Sequence, residues 1–186
     1  RQKSEKSIRS WKNNKKKTFS SQYRKTKEKI KKAQKTSLSK SDLLILLQKV
    51  PNFLGCFAAD SIKFPAIHQY PAFLIINLDV SIQPGSHWLA LRLGKYTLEI
   101  FDSLGFNPSL WDCYPTHLFK FISSYSLSHK FYFSPVLQPK NTFTCGLFAV
   151  FFVVYRQKYC FNQCVSTFYK NLSLNNCKLF SLLLKY

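Results

Sequence analysis

The stretch that most constrains this chain is NTFTCGLFAVFFVVY, Asn141 to Tyr155. After the pair Cys145-Gly146 come nine residues, Leu147 to Tyr155, with no polar side chain except the closing tyrosine. A helix that is apolar all round has to be covered on every side. The run is well short of the roughly 20 apolar residues that a membrane span takes. The rest of the chain must therefore wrap it. A thiol stands where this helix is predicted to begin, so Cys145 is either a small buried residue or a nucleophile held at a helix start.

The wrapping layers are legible in outline. KSDLLILLQKV follows serines suited to an N-cap and stops at Pro51, which predicts a short helix. AFLIINLDV reads as a strand before the turn QPGS. HWLALRLG and YTLEIF are joined by the tight Gly94-Lys95 link and read as a hairpin. NPSLWDCYPTHLFKFISSY reads as helical on either side of Pro115, and KFYFSPV as another strand. CVSTFYKNL and NCKLFSLLLKY read as further helices. Strands in the middle and helices at the ends predict an α+β fold, with a central, mostly antiparallel sheet flanked by helices. No internal repeat stands out.

Charge divides the chain in two. Residues 1–40 hold 16 Lys and Arg against Glu5 and Glu28, a net of +14 out of +20 for the whole chain. That segment is basic and without apolar period, so it reads as a disordered tail ahead of a domain over 41–186. Lys15, Lys16 and Lys17, and Lys29, Lys31 and Lys32, are its candidate contacts to a phosphate backbone or an import receptor. Trp11, Phe19 and Tyr23 interleave aromatics with this charge, as single-stranded nucleic acid would favour. The polar, basic start does not read as a secretory signal. The six cysteines lie mostly in apolar surroundings, as reduced intracellular thiols do, and the protein is expected not to be secreted. The chain begins with Arg1 and contains no Met, which fits a fragment, a processed product or a frame within a longer element equally well.

A cysteine nucleophile acts as its thiolate, and a helix N-terminus or a neighbouring imidazolium favours that form. The backbone N–H of Cys145 would face a developing oxyanion, and Gly146 would leave room for substrate. A base is needed next. Of the four histidines, His68, His87, His117 and His129, His87 follows a turn and opens a strand. Asp102 ends the partner strand in EIFDSLG, so the hairpin register makes His87 and Asp102 neighbours. An orienting carboxylate accepts only, and would fix the imidazole tautomer. Gln138 precedes Cys145 by seven residues and could aim an amide N–H at the same oxyanion. Alone, each has a plainer reading: a surface histidine, a turn aspartate, a loop glutamine, a buried thiol.

Taken in order, His87, Asp102, Gln138 and Cys145, with GSHWLAL, FDSLGF and a CGLF preceded by glutamine, resemble the adenovirus protease (adenain) family. NFLGCF upstream resembles a motif near the start of that family's domain. The chain looks most like the adenain-like proteases of Polinton/Maverick elements and adintoviruses, over residues 41–186. The resemblance implies a buried helix starting at the nucleophile and peptide hydrolysis through a thioester, often after small residues. It implies Cys145 as nucleophile, His87 as proton carrier, Asp102 as its orienter, and Gln138 with the Cys145 amide as oxyanion hole. Trp88 would pack beside the pair and border the substrate. It further implies polypeptide substrates, namely capsid and core precursors, a monomer, and work in the host nucleus and virion. No metal or organic cofactor is implied. DNA is a candidate activator, but SYSLSHKFYFSPVL lacks the cysteine that would link an activating peptide. Cys160 and Cys164 with Cys177 lack a well-placed fourth ligand for zinc.

Two rival readings stand beside this one. SUMO- and ubiquitin-like-specific isopeptidases resemble the same pattern, but usually carry Asp where this chain has Thr144. A catalytically decayed, basic nucleic-acid-binding protein would keep the frame and use the tail.

Overall fold

The computed structural model describes residues 24, 26–32, 36–62, 69–105 and 114–185. Helix α1 spans Lys40–Leu47 and is opened by a reciprocal cap. The Asp42 N–H donates to Ser39 Oγ, and the Ser39 N–H donates to Asp42 Oδ2. This satisfies two N-terminal donors that the helix itself cannot pair. Strand β1, Phe53–Ala58, and a 3-10 turn at Ala59–Ser61 follow. Then come β2 (Ala72–Asn77), β3 (Trp88–Leu93), β4 (Thr97–Phe101), α2 (Thr116–Ser123) and β5 (Lys130–Phe133). Helices α3 (Cys145–Tyr155), α4 (Phe161–Ser166) and α5 (Asn175–Leu183) close the chain.

The five strands form one sheet in the order β1-β2-β3-β4-β5. Its centre, β2-β3-β4, is antiparallel as expected, but β1 pairs with β2, and β5 with β4, in parallel. The sheet is therefore mixed. Parallel neighbours need a crossover of a dozen or more residues, and α2 lies on the crossover between β4 and β5. Strand β1 escaped the sequence reading because a register irregularity between Phe53 and Gly55, where Gly55 has φ +126°, breaks its alternation.

Both faces of the sheet are covered. Phe73 and Ile75 of β2, Ala90 of β3 and Phe101 of β4 point into the core around α3. Leu74 and Ile76, Leu89 and Leu91, and Leu98 and Ile100 point into a second core that includes Leu118, Phe121 and Ile122 of α2. Alternate residues of one strand thus serve opposite cores, which is why Ala72 to Ile76 are all apolar. Helix α3 lies over β3, with α1 and α5 against it, and every residue from Cys145 to Val154 is buried. The Phe101 and Phe152 rings stack at 4.5 Å, a contact worth about 0.5–1.5 kcal/mol beyond burial alone.

Two other expectations shift. The helix expected over CVSTFYKNL begins earlier and ends at Ser166, with Gln163 Oε1 accepting from the Cys160 N–H at its start. Helix α2 follows Pro115 as predicted, whereas residues 106–113, on the other side, lie outside the described residues. Packing also reaches back before residue 41. Residues 26–32 are helical, Ile30 and Leu38 are buried in the α3 core, and Lys29 pairs with Asp42.

Candidate active site

The β3–β4 hairpin carries the first two candidate residues. Its link is closed by the Gly94 N–H donating to the Thr97 carbonyl at 2.8 Å, and a Cβ on Gly94 would come within 2.3 Å of Thr97 Oγ1. The ladder runs out at Ala90↔Phe101, and His87 and Asp102 lie just beyond its end. Their side chains meet, His87 Nε2 to Asp102 Oδ1 at 2.7 Å, as the register predicts. On the other side of His87, its carbonyl accepts from the Leu78 N–H. The preceding turn sits against Asn77: Gly85 has φ +93°, and a Cβ on it would come within 2.4 Å of Asn77 Nδ2.

Asp102 is held on all sides. Its Oδ1 also accepts from the Leu104 N–H at 2.8 Å, and its Oδ2 from the Tyr114 hydroxyl at 3.3 Å. The Ser134 hydroxyl donates to the Asp102 carbonyl and accepts from the Asp102 N–H. This network commits His87 Nε2 to the carboxylate. Nδ1 is left for Cys145, whose side chain interacts with the ring. Burial disfavours a charged ring, but the contacts with Asp102 and Cys145 more than offset it and raise the His87 pKa to about 9. Cys145 is the first residue of α3, 4% exposed, where the helix presents unpaired backbone N–H groups and the positive end of its dipole.

Gln138 reaches the same region through a doubly anchored loop. Its Nε2 donates to the Thr142 carbonyl at 2.7 Å, and its Oε1 accepts from the Ser103 hydroxyl at 2.7 Å. The Ser103 carbonyl accepts from the N–H groups of both Leu137 and Gln138. From the far side, buried Asn175 at the start of α5 donates to the Leu137 carbonyl, and Thr144 Oγ1 donates to Asn176 Oδ1.

Trp88 is buried and its indole N–H donates to the Leu38 carbonyl at 2.9 Å. It lines a groove of about 330 Å³ together with Leu38, Ser39, Lys40, Gly85 and Ser86. The close approach at Gly146 is to Leu38 and Trp88 rather than to open space, since a Cβ there would lie 3.1 Å from Leu38 Cβ. Of the other histidines, His117 is exposed, His129 hydrogen-bonds Ser128, and His68 lies outside the described residues. Lys31 and Lys32 are exposed, Lys29 is taken up by Asp42, and Lys15, Lys16 and Lys17 lie outside the described residues.

Sequence reasoning missed Ser103, Tyr114, Ser134, Thr142 and Asn175. Only Ser103 carried a signal, as the residue after Asp102 in FDSLGF. The others are contacts made by the fold across 12 to 38 positions of sequence or within a loop.

The arrangement is a thiol at a helix start, an imidazole that interacts with it, a carboxylate fixing that imidazole, and an amide on an anchored loop. Such a set can attack a carbonyl carbon and needs no metal to do so. No curated protein matches the chain in sequence. The adenovirus endoprotease family does match, over residues 53–178, a span that holds His87, Asp102, Gln138 and Cys145. The chain has the mixed-sheet α+β architecture consistent with that fold, and it belongs to the adenovirus endoprotease family of cysteine peptidases.

Proposed function

We propose that the protein is an active cysteine endopeptidase that processes capsid and core precursors of a virus or virus-like mobile element. The observation that carries the reading is the His87–Asp102 contact at 2.7 Å, with Cys145 on the same ring at the start of α3.

The chemistry follows from the geometry. The Cys145 thiolate attacks the scissile carbonyl carbon. A C–S bond forms, and the carbonyl π pair moves onto oxygen. That oxyanion is taken by the Cys145 N–H and the second Nε2 N–H of Gln138, the first being held by Thr142. As the oxyanion collapses, the C–N bond breaks and the His87 Nδ1 proton passes to the leaving amine. Water then attacks the thioester and gives a proton back to Nδ1. The C–S bond breaks and the thiolate–imidazolium pair is restored. Asp102 keeps Nε2 protonated throughout, so that only Nδ1 exchanges its proton.

Thr144, in place of an aspartate, favours this reading over an isopeptidase. The net charge of +14 in residues 1–40 supports contact with DNA in the host nucleus and virion, and a monomer is the working unit. A peptide library read by mass spectrometry, with and without DNA, tests this. Cleavage that vanishes in Cys145→Ala, and that falls in precursors of capsid and core proteins, is expected. Cleavage confined to ubiquitin-like C-termini would replace the reading with the isopeptidase one. No cleavage by folded protein under any condition would favour a decayed enzyme.

A further inference from the structure

The dipeptide Asp102-Ser103 touches both halves of the candidate machinery. Asp102 holds the imidazole, while the Ser103 hydroxyl donates to Gln138 Oε1 at 2.7 Å. Ser103 is 1% exposed and Gln138 is 2% exposed, so water cannot easily replace this contact. We infer that Ser103 is a positioning residue, which orients the Gln138 amide so that an N–H, and not the carbonyl oxygen, faces the oxyanion. This rests on the peptidase reading above.

The argument turns on which end of the amide is where. A glutamine amide is nearly symmetric in shape but opposite in polarity at its two ends. One Nε2 N–H is spent on the Thr142 carbonyl, so the second is the only one left to serve an oxyanion. A flipped amide would set Oε1 against that carbonyl, acceptor against acceptor. The acceptor-only Thr142 carbonyl disfavours that flip, and the Ser103 hydroxyl, donating to Oε1, holds the other end of the amide in place. Donation to Oε1 also polarises the amide and strengthens its N–H as a donor. The backbone anchors of the loop go to the Ser103 carbonyl, not its hydroxyl. Removing the hydroxyl therefore leaves the loop tethered and touches only the amide.

The test compares wild type, Ser103→Ala and Ser103→Thr in the full chain, with three readouts. The first is the alkylation rate of Cys145 by iodoacetamide, which needs the activated thiol but creates no oxyanion. The second is cleavage of a peptide found in the library screen. The third is affinity for a peptidyl aldehyde, whose thiohemiacetal oxygen occupies the oxyanion position. In Ser103→Ala, alkylation and KM are expected to stay within about twofold while kcat falls roughly 10- to 100-fold, short of the loss from deleting an oxyanion donor outright. Aldehyde affinity should fall by a similar factor, and Ser103→Thr, which keeps the hydroxyl, should recover most of both. Unchanged kcat, or alkylation falling in step with cleavage, would overturn the inference, the latter by making Ser103 a support of the whole site. Failure of the peptidase reading looks different: wild type would not cleave, or Cys145→Ala would cleave as well as wild type.

Discussion

The His87 ring has two nitrogens with separate duties, and its environment sets when each is protonated. Asp102 and Cys145 raise its pKa from the ordinary 6.5 to about 9, against the opposing effect of burial. Its charged form therefore stabilises the fold. That contribution is complete below about pH 6.5 and is lost as pH rises through about 9. In the mechanism proposed above, the same titration removes the acid that protonates the leaving amine. Cleavage should fall along an alkaline limb near pH 9. Asp102→Asn removes a negative neighbour, so it should move that limb to lower pH; a limb that stays in place would break the assignment of Nε2 to Asp102. Other thiols behave differently. Burial pushes Cys56 up to about 12 and Cys164 up to about 11, so both should react slowly with iodoacetamide at neutral pH.

At the scale of elements, one buried carboxylate ties the sheet to helix α3. Glu99 on β4 is 3% exposed and sits opposite Arg92 on β3. It accepts from Arg92 Nη1 at 2.9 Å and, through both oxygens, from Nε and Nη2 of Arg156 at the end of α3. The Arg156 fork is bidentate and charge-assisted, the stronger class of such contacts. Glu99→Ala would leave two guanidinium groups facing each other without a counter-charge. The expected loss is about 3–5 kcal/mol, read as a lower denaturant midpoint with the slope unchanged. A loss of less than about 1 kcal/mol would mean that water reaches both arginines. Elements also show where the sequence could be read. The α1, β2, β3 and β4 segments announced themselves through caps, period and turn residues. The order strand, helix, strand before β5 permits parallel pairing but does not require it, and the sequence reading did not contain it. Strand β1 was hidden by its irregularity at Gly55.

At the scale of the molecule, two described residues of the basic segment belong to the domain's core. Ile30 is 2% exposed and Leu38 is 5% exposed, both in the core that surrounds α3, and the Leu38 carbonyl anchors Trp88. A chain beginning at residue 41 would lose both side chains, each worth about 1.5–3 kcal/mol when fully buried, and would unroof Gly146. A chain beginning at residue 24 keeps them. Deleting 1–23 should therefore leave basal cleavage and melting temperature intact while reducing salt-sensitive DNA binding. Deleting 1–40 should lower both cleavage and melting temperature. Equal stability of the two truncations would show that residues 24–40 add nothing to the core.

The sequence by itself determined the buried helix and the residue at its start, because nine consecutive residues without a charge can only be enclosed. It also determined the meeting of His87 with Asp102, because hairpin register is local and a two-strand ladder leaves little choice. Tertiary structure alone decided the parallel edges of the sheet, the return of Leu38 and Ile30 to the core, and the anchoring of Gln138 by Ser103, Thr142 and Asn175. Hydrogen bonds between residues far apart in sequence leave no period or spacing to read. They exist only once the hydrophobic layers have brought those residues together.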